Sequence, residues 1–158
     1  RMSARREKLL GRLRKGMRKT NGLLSPLTPE QWNAVLYPEP YPWTVRDLLA
    51  HFLSAEKGLR MVGQDIAAGG RGAPEGLDYD HFNAEEQERL AGIPAEELLA
   101  DLHAARQRTI AWVETLEDED LDREGYHPAL GKIDLETLIN AIYGHQLMHM
   151  RDAMGVLE

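Results

Sequence analysis

The chain has 158 residues, no cysteine, 42% hydrophobic and 28% charged side chains, and a formal net charge of −7. That length and balance suit one folded domain over residues 1–158 rather than a disordered chain, and the missing cysteines exclude disulfide scaffolds, thiolate metal sites and thiol nucleophiles. No apolar run could span a membrane, and Arg1-Met2-Ser3-Ala4-Arg5-Arg6 lacks the apolar core of a secretory signal, so a soluble cytoplasmic protein without a membrane partner is expected.

Residues 1–19 carry nine Lys/Arg and one acid, Glu7, whereas the remainder carries ten basic and twenty-five acidic side chains. A basic arm can bind phosphates or lie along the acidic body of its own molecule. With no recognisable nucleic-acid motif, the intramolecular or solvated role is expected, and nucleic acid is not expected as a partner. Within the same region Leu10, Leu13, Met17, Thr20, Leu24 and Leu27 follow helical spacing until Pro26 and Pro29 break it. Thr28-Pro29-Glu30-Gln31 then reads as a cap and a short helix around Trp32. In residues 37–42, Tyr-Pro-Glu-Pro-Tyr-Pro, each proline pushes its predecessor into extended conformation.

Thr44, with Asp47 three residues on, opens a second long helix. Its inward stripe is expected at Leu48, His51, Ala55, Gly58 or Leu59, and Val62, ending near Gly69-Gly70. Four glycines and Pro74 make residues 69–80 a loop, followed by a short helical piece over about 84–91. A third long helix begins at Ala95 with the stripe Leu98, Leu102, Ala105, Thr109, Trp112 and Leu116. The acidic stretch 117–124 and Tyr126-His127-Pro128 form the next connection. The fourth helix starts near Asp134 and turns Leu135, Leu138, Ile142, His145, His149, Asp152 and Val156 inward. No segment alternates with the period of a strand. The expected fold is all-α, a four-helix bundle with short extra helices in the connections and, by default, up-down-up-down order.

Three of the six histidines stand on inward stripes. His145 and His149 are four apart, so both rings leave one helical face a turn apart, and His51 on a facing antiparallel helix could supply a third nitrogen. A lone histidine on such a stripe is more often a hydrogen-bonded core residue. Three of them would cost a bundle core considerable desolvation, which favours a metal site. His81 and His127 fall in loops and His103 lies off its stripe, so these read as surface residues. His145-Gln-Leu-Met-His149 has zincin spacing, but Gln146 stands where a zincin needs its glutamate base. The Glu124-Gly-Tyr-His127 triplet sits beside Pro128 in a loop, which argues against a di-iron bundle. Imidazole ligation suits zinc, nickel, iron or copper better than magnesium or calcium. Asn83, Tyr143, Gln146 and Asp152 are candidates for supporting or substrate-contact roles. Each also has a plainer job: a helix cap for Asn83, packing for Tyr143, a polar end-of-core position for Asp152. Trp43 reads as an anchor at a helix entry.

The segment Trp43-Thr-Val-Arg-Asp-Leu-Leu-Ala-His51 resembles the W-[ST]-x-[RK]-[DE]-x-[LI]-x-H segment of the DinB-like (DinB/YfiT) superfamily. Thr137-Leu-Ile-Asn-Ala-Ile-Tyr-Gly-His145-Gln-Leu-Met-His149 is similar to its last-helix H-x-x-x-H. The Leu27–Trp32 turn and the Asp80-His-Phe-Asn83 segment also resemble recurring features of that superfamily. The resemblance implies a four-helix bundle with a divalent metal on His51, His145 and His149, zinc or nickel first and iron or manganese next. It further implies a metal-dependent enzyme of the thiol S-transferase or hydrolase type. Such an enzyme would take a small-molecule substrate, use a low-molecular-weight thiol in the transferase case, and form a homodimer. The alternative is a non-catalytic metal or small-ligand binding protein of the same fold.

Overall fold

Three of the four long helices begin at a side chain that caps them. Ser3, Thr44 and Asp134 accept hydrogen bonds from the backbone amides of Arg6, Asp47 and Thr137 and so start α1 (Ala4–Leu24), α3 (Val45–Ala67) and α7 (Leu135–Leu157). Pro94 opens α5 (Ala95–Glu114) without a side-chain cap. The short α2 (Pro29–Trp32) has the Thr28/Gln31 capping box, and α6 (Asp118–Leu121) lies in the acidic stretch. The computed structural model describes residues 2–39 and 42–158.

Contacts at the helix ends give their directions. Arg5 in the first turn of α1 pairs with Glu136 in the first turn of α7 at 2.9 Å, so these two run parallel. Arg6 donates to the carbonyl of Leu116, just beyond the end of α5, so α1 and α5 are antiparallel. Arg46 at the start of α3 donates to the carbonyl of Ile93, just before α5, so α3 and α5 run parallel. The order is therefore up-down-down-up, not the expected up-down-up-down. The physical reason is the connection 68–94, which contains α4 (Tyr79–Arg89) packed along α3 and so returns the chain to the end it left. α1 and α3 each pack on both α5 and α7.

The core is two apolar clusters. One surrounds Phe52, Leu49, Leu98 and Leu102; the other surrounds Leu13, Val113, Leu138 and Ile139. Between them lies a polar layer to which all four long helices contribute. The Arg106 guanidinium donates to Glu56 at 2.7–3.1 Å and to the Leu13 carbonyl at 2.9 Å, while Thr109 (2.6 Å) and Gln146 (3.0 Å) donate to the same carboxylate. Glu56 and Arg106 have no side-chain exposure.

Several expectations are corrected. Two antiparallel ribbons are present, β1 (Val35–Tyr37) with β2 (Trp43–Thr44) and β3 (Glu124–His127) with β4 (Gly131–Asp134). Strands of two to four residues are too short to show alternation. Of the proline segment, Tyr37 is extended as expected, and Pro40 and Tyr41 lie outside the described residues, as does Arg1. The helix expected at 84–91 is α4, which starts at Tyr79 because Asp78 caps it. Asn83 is therefore inside a helix rather than at its cap, and His81 is helical, exposed and beside Glu85. On α7 Leu135, Leu138 and Ile142 are buried as expected, but beyond them the buried stripe is Gln146, Met150 and Ala153, one residue round from the expected His145, His149 and Asp152. Asp152 and Val156 are exposed in consequence. On α3 the expected Leu48, His51 and Leu59 are buried, and the stripe extends to Phe52, Glu56, Gly63 and Ile66, while Ala55, Gly58 and Val62 are half-buried. Among the described residues no helix is long and apolar enough to cross a membrane.

The basic N-terminal arm is a bundle helix whose inner flank meets acids and amides of its own chain. Arg5 pairs with Asp122 and Glu136, Arg6 with Asp118, Arg14 with Glu114, and Arg12 donates to Asn140.

Candidate metal centre

The one-residue offset on α7 has a chemical result. His51 is buried, whereas His145 and His149 lie half-buried along the flank of the α3–α7 seam, so the three rings meet where the bundle opens outward. The antiparallel crossing brings the second turn of α3 level with the middle of α7. His51 Nε2 lies 3.0 Å from His145 Nε2. One ligand atom from each of the three histidines falls within 4.8 Å of the others. The rings stand edge to face, His51–His145 at 4.8 Å, His145–His149 at 4.7 Å and His51–His149 at 5.6 Å between centroids. Nitrogens about 2.0–2.1 Å from a common zinc lie a little over 3 Å apart at tetrahedral angles, so the closest pair already has the separation of co-ligands, and the group could hold a metal ion.

Electrostatics keeps these rings unprotonated, the state a ligand needs. Burial, then the charges of His145 and His149, pushes His51 down from 6.5 to about 3. Burial, then His149 and His127, pushes His145 down to about 4. His149 is lowered by burial too, with Asp152 acting in the opposite sense.

The first ribbon brings two aromatic residues to the site. Trp43 packs on His51 at 5.2 Å between centroids. The Tyr37 hydroxyl lies 2.8 Å from His149 Nδ1 and donates to Asp152 Oδ2 at 2.5 Å. Burial, then the Asp152 hydrogen bond, holds this phenol well above its ordinary range. Asp152 thus reaches the cluster through Tyr37, a residue that the sequence had placed only in an extended proline segment. An aromatic residue before Pro38 was the available signal, and it gave no partner.

The other candidates are distributed differently. Gln146 turns away from the histidines and donates to Glu56, so it belongs to the polar layer. Tyr143 packs across α1 at Gly16, where an added Cβ would lie 2.7 Å from the Tyr143 ring. Asn83 is half-buried on α4. His103 is exposed and lines a hollow of about 520 Å³ between α1, α2 and α5, which contains none of the three clustered histidines. His127, expected in a loop, is in β3 and half-buried, with Nδ1 accepting from the amides of Ala129 and Leu130 at 3.0 Å.

Comparison with known proteins gives the fold a context. A family model described as the DinB superfamily matches residues 12–153. YfiT from Bacillus subtilis, described as a probable metal-dependent hydrolase with an unusual four-helix bundle topology, superposes with a TM-score of 0.79. It is 19% identical, over 99% of this chain and 88% of that one. An uncharacterised protein from Escherichia coli UTI89 gives 0.71 at 17% identity, over 96% and 91% of the two chains. The colibactin self-resistance protein ClbS, solved in complex with a dsDNA, gives 0.63 at 16% identity, over 92% and 95%. No curated protein matches the chain in sequence. At such identities the likeness to the solved structures is one of fold.

Proposed function

The chain belongs to the DinB superfamily, and from that premise we propose that it is a metal-dependent enzyme of the hydrolase or thiol S-transferase type. The ion, zinc or nickel, would be held by His51, His145 and His149. The observation that carries the reading is the convergence of three imidazoles from two helices, with ligand atoms within 4.8 Å on the half-open flank of the bundle. Three neutral ligands would leave a divalent ion its full charge and open positions, and the chemistry it would supply is Lewis-acid activation of a carbonyl, a water or a thiol. The chain's own part is to hold those rings neutral by burial, to orient them through Trp43 and Tyr37, and to exclude water on the core side with Phe52, 6.4 Å from His145. A small-molecule substrate, with a low-molecular-weight thiol as co-substrate in the transfer case, belongs to the same reading. A cytoplasmic homodimer is part of the same proposal.

The test is metal content by mass spectrometry on protein purified without a histidine tag or nickel column. Near-stoichiometric metal in the wild type, lost in His51→Ala and His149→Ala, supports the site and leads to a thiol-transfer and ester-hydrolysis screen. No metal after equilibration with zinc, nickel, iron and manganese sinks the proposal. Bound metal with no turnover in that screen favours the alternative, a non-catalytic metal or small-ligand binding protein.

A second reading has its own observation. Lys8, Lys15, Arg18 and Lys19 are exposed on α1, and the similar fold of ClbS was solved with a dsDNA. A nucleic-acid role for this chain predicts salt-sensitive DNA binding that Lys8→Glu/Lys15→Glu/Lys19→Glu abolishes and His149→Ala leaves unchanged. The pairing of Arg5, Arg6 and Arg14 with the chain's own acids weighs against it.

A further inference from the structure

The Tyr37 hydroxyl has one proton and two neighbours. A carboxylate at neutral pH only accepts hydrogen bonds, so the phenol proton goes to Asp152 Oδ2, 2.5 Å away. The phenol oxygen then faces His149 Nδ1 at 2.8 Å as an acceptor. Nδ1 must therefore carry the imidazole hydrogen, and Nε2 keeps its lone pair.

From this we infer that Tyr37 is a positioning residue for the metal centre. It holds His149 as the Nδ1–H tautomer with Nε2 presented as the ligand atom, and Asp152 orients Tyr37. The inference rests on the metal reading above and deepens it. Ligating histidines commonly donate their second N–H to a carboxylate or carbonyl, which fixes the ring and raises its basicity. Here a phenol stands between ring and carboxylate. The arrangement is built from three places in the chain: β1 supplies Tyr37, and α7 supplies His149 with Asp152 three residues on, nearly one turn later. Tyr37 pairs in register with Trp43, which itself packs on His51. One ribbon thereby steadies two of the three candidate ligands. Asp152 is exposed and among the described residues enters no salt bridge, so its bond to Tyr37 is not a by-product of a surface ion pair.

The experiment uses the full chain in two states. In the metal-free protein, long-range nitrogen–proton NMR at neutral pH reads the tautomer of His149. The expected result is Nδ1–H in the wild type and a shift towards Nε2–H, the form a free histidine side chain favours in water, in Tyr37→Phe. In the second state, zinc affinity is measured by competition with a chromophoric chelator. Tyr37→Phe should bind zinc about 10–100-fold more weakly. Asp152→Asn should lose less, and the double variant should lose no more than Tyr37→Phe alone, because Asp152 acts through the phenol. A wild-type His149 protonated on Nε2 overturns the inference. So does a Tyr37→Phe protein that binds zinc as tightly as the wild type, and that result leaves the metal reading intact. A wild type with the Nδ1–H tautomer that takes up no zinc overturns the metal reading instead and leaves the hydrogen-bond relay as drawn.

Discussion

Two polar groups sit in adjacent layers of one bundle, both drawing on α3 and α7, and they differ in saturation. Around Glu56 each carboxylate oxygen is met by donors from Arg106, Thr109 or Gln146, and the spare guanidinium nitrogen reaches the Leu13 carbonyl. That layer is closed: it ties four helices together and has nothing left to offer a ligand. Around His51 the rings have chiefly one another and Tyr37 as polar partners. Their nitrogens converge on a half-open flank, each neutral ring with one lone pair to offer. Burial alone does not distinguish a structural polar residue from a ligand, whereas the balance of donors and acceptors does.

The contrast can be broken from either side. Removing one member of the closed layer leaves a buried charge without its partner, so Arg106→Met should cost about 3–5 kcal/mol in chemical unfolding. The double change Glu56→Leu/Arg106→Met should recover most of that loss. Protein that still folds should bind metal as before. At the open cluster the effect runs through the ligand. Zinc at a hundred-fold excess over Kd should stabilise the wild type by about 2.7 kcal/mol, a rise of roughly 5–10 °C in Tm for a chain of this length. His149→Ala should abolish that rise while changing metal-free stability by only about 1 kcal/mol, and thermal scans with and without zinc decide it.

Acid sharpens the same distinction. His51 and His145 titrate at about 3 and about 4 in the fold, against 6.5 in an unfolded chain. Below pH 6.5 the unfolded chain takes up protons that the folded one refuses, so metal-free stability should fall as pH drops from 6.5 towards about 3–4. His51 accounts for about 1 kcal/mol per pH unit of that fall, and urea midpoints at several pH values should show a shallower decline in His51→Gln. The smallest effect belongs on the outside of α1. Arg14 reaches Glu114 at 3.9 Å with both side chains about half exposed, so Arg14→Ala should cost less than about 1 kcal/mol and leave metal content unchanged. A larger loss would mean that α1 is held by surface pairing as much as by its apolar face.

How far the site was legible depended on the residue type. His145 and His149 announce themselves because a four-residue spacing is a statement about one helix face. His51 needed the additional inference of an antiparallel partner, which the α3–α7 crossing bears out. Glu56 and Arg106 were not singled out, although each stands on the stripe that the structure buries, Phe52–Glu56–Leu59–Gly63 and Leu102–Arg106–Thr109–Val113. One charge of each sign at such positions on two helices was the available signal. Tyr37 gave none, because a phenol in an extended segment has no periodicity that could point to α7.

The amino-acid pattern was sufficient for the four long helices, the Thr28 and Thr44 caps and the pairing of two histidines on one face, since all of these depend on neighbours within a turn or two. It did not choose between up-down-up-down and up-down-down-up, although only the second sets α3 antiparallel to α7, as the meeting of His51 with His145 requires; the docking of α4 along α3 goes with that order. Nor could it settle which of two adjacent stripes faces the centre. A turn of one residue, about 100°, separates Asp152 buried from Asp152 exposed and bonded to Tyr37. That rotation is decided by how three neighbouring helices pack at once, and it is what puts the three imidazoles on the open flank of the seam.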